Sequence, residues 1–173
     1  IALKYSKNFK KKYKLPNKYI FLTMHRDSNS TKLQIKKILG DISRIKNIFF
    51  WPIHPKIKLI IKKNKIKIPK NIIHSKPLSY LESLAAIKES VYVITDSGGV
   101  QKETYFYKKK CFVLRNETEW SELIKVNCVK LISNDVLTIE KSSKFLNKRL
   151  IVRQIFGNGD STSKIAKLIK KII

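Results

Sequence analysis

The 173-residue sequence predicts an α/β domain, a three-layer αβα arrangement around a parallel sheet of about six strands. Three observations predict it. Short β-rich apolar runs recur along the chain, segments with helical apolar spacing separate them, and the runs are nearly continuous in their hydrophobicity. Strands covered by helices on both faces have that last property, whereas strands with one wet face alternate.

The runs are Tyr19–Met24, Ile48–Ile53, Ile72–Ser75, Val91–Thr95, Cys111–Leu114 and Cys128–Ile132. Between the first two, Leu33, Ile35, Ile38, Leu39 and Ile42 recur at roughly helical spacing, so one stripe should face the sheet. Pro55 suits the first turn of a further helix. Ser79-Tyr80-Leu81-Glu82 has the form of a capping box and predicts a helix to about Lys88. After the turn Gly157-Asn158-Gly159-Asp160, a last helix should run from Thr162 to about Ile172, with Ile165, Leu168, Ile169 and Ile172 on one side. Repeated strand-helix alternation with right-handed crossovers gives a doubly wound, Rossmann-like sheet. All strand carboxyl ends then share one edge. The stretch before Lys18 is polar and reads as a tail.

The length suits one α/β domain with a real core and excludes two large ones. No apolar run approaches the roughly 20 residues that a membrane-spanning helix needs, and Ile1 to Lys14 carries no apolar stretch of the signal-peptide kind. Cys111 and Cys128 each open a buried run, so they read as core thiols in a reducing cytoplasm rather than as a disulfide or metal ligands. The charge is strongly basic, with 38 Lys and Arg against 12 Asp and Glu. That balance admits nucleic acid as a partner. The lysines are scattered, however, and the clusters at 10–14 and 62–67 lack the alternating aromatic residues of a base-stacking surface. A solvated basic surface is the simpler reading, with no specific nucleic acid and no metal or other cofactor expected.

Polar residues gather at the carboxyl edge. His25 and Arg26 follow the first run, His54 the second, Asp96 the fourth and Arg115 the fifth. The segment Thr95-Asp96-Ser97-Gly98-Gly99-Val100-Gln101-Lys102-Glu103 has the strongest local signal. A strand ends there, small residues turn, and a helix begins with free amides that favour an anion. Gly98 and Gly99 permit close approach of a phosphate, and the Ser97 hydroxyl can add a donor. Glu103 lies one helical turn beyond Gly99, where a carboxylate can accept from a cis-diol such as a ribose. A plain strand-to-helix turn with a solvated Glu fits the same pattern, and both readings stay open on the residues alone. His25 and His54 likewise fit either a ligand contact or a structural place, and Glu117 and Glu119 suit caps for the next helix.

Taken together, several segments resemble the non-hydrolysing UDP-N-acetylglucosamine 2-epimerases, in their C-terminal domain. These are Leu22-Thr23-Met24-His25-Arg26, Pro52-Ile53-His54-Pro55, Pro77-Leu78-Ser79-Tyr80-Leu81, the Asp96 to Glu103 segment, Leu114-Arg115-Asn116-Glu117-Thr118-Glu119-Trp120, and Phe156-Gly157-Asn158-Gly159-Asp160-Ser161. The resemblance implies one half of a GT-B-type fold, with residues 18–173 as the nucleotide-binding domain, 1–17 as the remnant of an interdomain linker, and an N-terminal domain absent from this chain. It implies a UDP-sugar ligand, elimination of UDP and its re-addition with inversion at C2, a role in polysaccharide biosynthesis, and pairing of full-length copies. Ser97, Gly98 and Gly99 would hold the diphosphate, Glu103 the ribose, and Arg115 would bring a positive charge to the substrate. His25 would act catalytically by steadying the departing UDP. Arg26 and His54 match positions that help form a regulatory UDP-sugar site in some members.

The sequence departs from the family at three places. Ser28-Asn29 stands where Glu-Asn is usual, Ser83 where an aromatic residue often packs on uracil, and Trp120 where many members have Arg. A subgroup sharing Glu-Thr-Glu-Trp includes enzymes for UDP-N-acetylglucosamine and for UDP-diacetamido-uronic acids, so the sugar stays open. The carboxylates that move the C2 proton belong to the family's N-terminal domain, and the chain alone is expected to be inactive. A GT-B glycosyltransferase half and a basic nucleic-acid-binding module are the competing readings.

Overall fold

The computed structural model describes residues 8–172. Its six strands are β1 (Ile20–Thr23), β2 (Phe49–Pro52), β3 (Ile72–Ser75), β4 (Val93–Thr95), β5 (Cys111–Val113) and β6 (Val129–Leu131). Each lies inside one of the apolar runs, trimmed by a residue or two except at β3, where the bounds coincide. All pair in parallel, in the order β3-β2-β1-β4-β5-β6. From β1 the chain winds outward to β2 and β3, then returns to lay β4 on the other side of β1. The crevice between the loops after β1 and β4 is the switch point at which such sheets bind ligands.

The helices are α1 (Lys32–Arg44), α2 (Pro55–Lys63), α3 (Tyr80–Glu89), α4 (Gly98–Phe106), α5 (Ser121–Lys125), α6 (Ser143–Asn147) and α7 (Ser161–Ile172). Period-two alternation sends the strand side chains to two cores. Ile20, Leu22, Phe49 and Trp51 meet Ile35, Ile38 and Ile42 of α1 and Ile57 of α2 on one face. Phe21, Phe50, Val93 and Val113 meet Ala85, Ala86 and Ile87 of α3, Tyr105 of α4 and Leu123 of α5 on the other. Two covered faces explain the continuous hydrophobicity of the runs. Leu33 is the exception in the α1 stripe, being 75% exposed.

The predicted capping box is present. The Ser79 hydroxyl accepts from Glu82 N, and the Glu82 carboxylate accepts from Ser79 N at 2.9 Å. It also takes Lys12 Nζ at 2.6 Å and Tyr13 OH at 2.8 Å. Those partners belong to the stretch read as a tail and linker, whose first seven residues lie outside the described ones. Residues 8–12 are helical, Phe9 and Leu15 are buried, and Phe9 meets the Phe50 ring edge-on at 5.7 Å. Two apolar side chains among lysines make no periodic signal, so this contribution to the second core was not visible in the pattern. Both cysteines are buried free thiols, as expected. At the other end α7 forms where predicted, yet Ile165, Leu168 and Ile169 are 50–60% exposed.

Candidate functional site

The site is built around a buried carboxylate at the switch point. Asp96, directly after β4, has no exposed surface. Its Oδ2 accepts from His25 N, Arg26 N and Asn29 Nδ2, each at 3.0 Å. Its Oδ1 lies 3.2 Å from His25 Nδ1. A carboxylate cut off from water needs such a set of donors, since an unpaired buried charge is very costly. Asn29 Nδ2 also donates to Leu114 O at 3.0 Å, which ties in the end of β5. Three loops from distant parts of the chain are locked together by two polar side chains. Below them the Thr23 and Thr95 hydroxyls meet at 2.6 Å across the β1–β4 pair.

The clamp orients His25. With Nδ1–H directed at Asp96, Nε2 is left as the outward nitrogen of a ring whose side chain is 44% exposed. His54 stands nearby, the two ring centres 5.9 Å apart. His54 also has the structural role foreseen for its segment, capping α2 by accepting from Lys56 N at 3.3 Å ahead of Pro55.

Ser97 caps α4, its Oγ accepting from Val100 N at 3.5 Å, so its own proton is available to a partner outside the helix. Gln101 N turns back to Ser97 O, and the amides of Gly98 and Gly99 stand at the open helix end. The two glycines differ. A Cβ on Gly99 would meet only Ser97 Oγ, at 3.9 Å, whereas a Cβ on Gly98 would lie 2.4 Å from Glu119 Oε1. One turn on, Glu103 is half-buried, and desolvation raises its pKa above the ordinary carboxylate value.

Glu119 does not cap the following helix; Trp120 occupies that position, without a side-chain cap bond. Instead Glu119 bridges two arginines, with Arg26 Nη2 3.3 Å from Oε1 and Arg115 Nη1 2.5 Å from Oε2. Its own backbone amide, then Arg115 and Arg26, lower its pKa. Glu117 lines a polar cleft of about 430 Å³ with Arg26, Ser28, Arg115, Asn116 and Asn134. Sequence reasoning found His25, Arg26, His54, Arg115 and the Ser97–Glu103 segment at this edge, and the fold places them there. It missed the work of Asp96 and Asn29. The available signal was one short polar residue directly after a strand and another in the loop that follows β1, too common a pattern to assign. Among the described residues no group of three or more His, Cys, Asp or Glu is placed to hold a metal ion.

Similarity to known proteins extends over nearly the whole chain. The family model described as UDP-N-acetylglucosamine 2-epimerase matches residues 1–170. A UDP-N-acetylglucosamine 2-epimerase homolog of Methanococcus maripaludis is 34% identical over 161 residues, covering 90% of this chain and 45% of the relative. The UDP-2,3-diacetamido-2,3-dideoxy-D-glucuronate 2-epimerase of Pseudomonas aeruginosa is 31% identical over 161 residues, covering 89% of this chain and 45% of its own. The Methanocaldococcus jannaschii UDP-GlcNAc 2-epimerase, solved in complex with UDP-GlcNAc and UDP, superposes with a TM-score of 0.84 at 30% identity. That match covers 98% of this chain and 51% of the solved one. The chain thus spans about half the length of these relatives. With a Rossmann-like parallel sheet that superposes on one half of a solved UDP-GlcNAc 2-epimerase and a family match across nearly every residue, the chain belongs to the UDP-N-acetylglucosamine 2-epimerase family.

Proposed function

We propose that this chain is the UDP-sugar-binding half of a UDP-N-acetylglucosamine 2-epimerase, with inversion at C2 by loss and return of UDP. The observation that carries the reading is the meeting of His25 and the start of α4 at one switch point, through Asp96. A diphosphate seated on the amides of Gly98 and Gly99 and on the Ser97 hydroxyl would take up an anion-binding helix start. Glu103 would accept from the ribose hydroxyls. His25 Nε2, once protonated, would donate to the phosphate oxygen on which negative charge develops as the sugar C1–O bond breaks. Arg115, and Arg26 with it, would supply fixed positive charge.

The carboxylates that remove and return the C2 proton would come from the half of the relatives' length that this chain does not span. The chain alone should therefore bind UDP and turn over nothing. The proposal carries with it pairing of complete copies, and a cytoplasmic setting in keeping with two buried free thiols. Thermal unfolding of the chain with and without UDP tests it, with binding to random-sequence DNA as the control for its basic surface. A rise in melting temperature with millimolar UDP is expected, since a ligand bound only to the folded state stabilises it. No response to UDP together with salt-sensitive DNA binding would replace this reading with a nucleic-acid function. For the complete protein, solvent deuterium should appear at C2 of UDP-N-acetylglucosamine. Sugar transfer without exchange would mark a glycosyltransferase.

A further inference from the structure

A carboxylate of the protein itself lies beside the helix start. A methyl group on Gly98 would come 2.4 Å from Glu119 Oε1, 3.0 Å from its Cδ and 3.3 Å from Trp120 Nε1. The Glu119 carboxylate therefore packs against the side of the residue that opens α4, close to a helix start that attracts negative charge. The fold delivers it there. The Thr118 hydroxyl donates to Gln101 Oε1 at 2.6 Å, and Trp120 N donates to Thr118 Oγ1 at 3.1 Å. The Trp120 ring meets Phe156 edge-on at 5.7 Å, and Lys102 Nζ lies 4.2 Å over it. The segment carrying Glu119 is thus fastened to the first two turns of α4 on both sides of Glu119.

The surroundings of Glu119 suit a larger anion. Arg26 and Arg115 both spend a guanidinium on this single carboxylate. Trp120 Nε1 is buried and has no hydrogen-bond partner among the described residues, although it lies beside Gly98. A buried indole N–H normally finds an acceptor. The Arg115 side chain is 13% exposed and the Glu119 side chain 41%, so the carboxylate can swing into water while the arginine stays in place. Ion pairs that exposed are weak, and a ligand with more charge can displace them.

We propose that Glu119 is a built-in competitor for the diphosphate. It holds Arg26 and Arg115 beside the opening turn of α4 until a ligand displaces it, and Trp120 Nε1–H then donates to a phosphate oxygen. This device rests on the reading of that turn as the UDP site and adds a selection rule to it. A singly charged ligand exchanges one negative charge for another and gains nothing, whereas a diphosphate gains.

The test compares the wild-type chain, Glu119→Gln and Glu119→Ala by calorimetric titration with inorganic pyrophosphate and with UDP. Both variants should bind pyrophosphate at least about threefold more tightly than wild type, the scale of a weak ion pair. In wild type the Trp120 indole proton resonance should move on adding pyrophosphate. Equal or weaker pyrophosphate binding by both variants overturns the competitor, as does an indole resonance that stays fixed. If UDP binds no more tightly than pyrophosphate while the variants still gain, the nucleotide reading fails and the competitor stands. Failure of every protein to bind either ligand overturns both.

Discussion

The Nδ1 of His25 stands 3.2 Å from Oδ1 of Asp96, a carboxylate that also receives the backbone amides of His25 and Arg26. One buried side chain therefore fixes both the position and the ring orientation of the histidine. Replacement Asp96→Asn would turn an acceptor oxygen into an amide group facing donors. The expected cost is about 3 kcal/mol of stability, on the scale of losing hydrogen bonds to a buried charge. A urea denaturation midpoint unchanged from wild type would show that Asp96 does not hold the loops.

The unequal surroundings of Gly98 and Gly99 predict unequal effects of a methyl group. Gly98→Ala would push against the end of an exposed Glu119 side chain, which can give way, so stability should stay within about 1 kcal/mol of wild type. The methyl would cover the helix start, and the UDP dissociation constant should rise roughly tenfold or more. Gly99→Ala meets only an ordinary contact and should change it less than about threefold. Isothermal titration of the two variants measures the contrast.

Glu103 predicts a pH dependence of known sign. Burial raises its pKa, so it protonates at a higher pH than the ordinary value of about 4.3. A protonated carboxyl is a poorer acceptor for the ribose hydroxyls. UDP affinity should then fall as pH drops, beginning above the usual carboxylate range. Glu103→Ala should weaken UDP binding about 10- to 100-fold at neutral pH and abolish that part of the pH dependence.

Glu82 predicts stability rather than binding. Its hydrogen bond from Lys12, then those from Ser79 and Tyr13, hold its pKa near about 2. A carboxylate whose folded pKa is depressed stabilises above its unfolded value and loses that contribution as pH falls through the folded one. Glu82→Gln should therefore cost about 1–2 kcal/mol at pH 7. The difference from wild type should shrink between about pH 4.3 and pH 2. Denaturation at pH 7, 4 and 2.5 checks it, and it also checks the anchoring of residues 8–14.

Lys65, Lys108 and Asn127 follow the ends of α2, α4 and α5 with φ of 49°, 54° and 59°. These are positions at which glycine is the usual residue. Lys108→Gly should stabilise by about 0.5 kcal/mol, the relief of left-handed strain exceeding the added freedom of the unfolded chain. A small rise in melting temperature is the expected reading.

The sequence announced the sheet because a strand covered on both faces carries its burial in consecutive residues. It announced the Ser97–Glu103 turn because small residues between a strand and a helix leave a local mark. The ends of α2 and α4 were harder to place, since lysines stand where glycines would have signalled them. Residues 8–15 were misleading for a related reason. Phe9 and Leu15 gain their meaning from Phe50, which lies far along the chain.

The sequence by itself determined the strand-helix alternation, the parallel sheet and the carboxyl edge on which His25, His54, Asp96 and Arg115 would lie. Those follow from periods of two and 3.6 residues and from the right-handed crossover. Only the tertiary structure decided that Asn29 would reach Asp96, 67 residues away, and that Glu119 would settle against Gly98 between two arginines. Hydrogen bonds and ion pairs between distant segments depend on where loops end in space, and no local pattern of residue types encodes that.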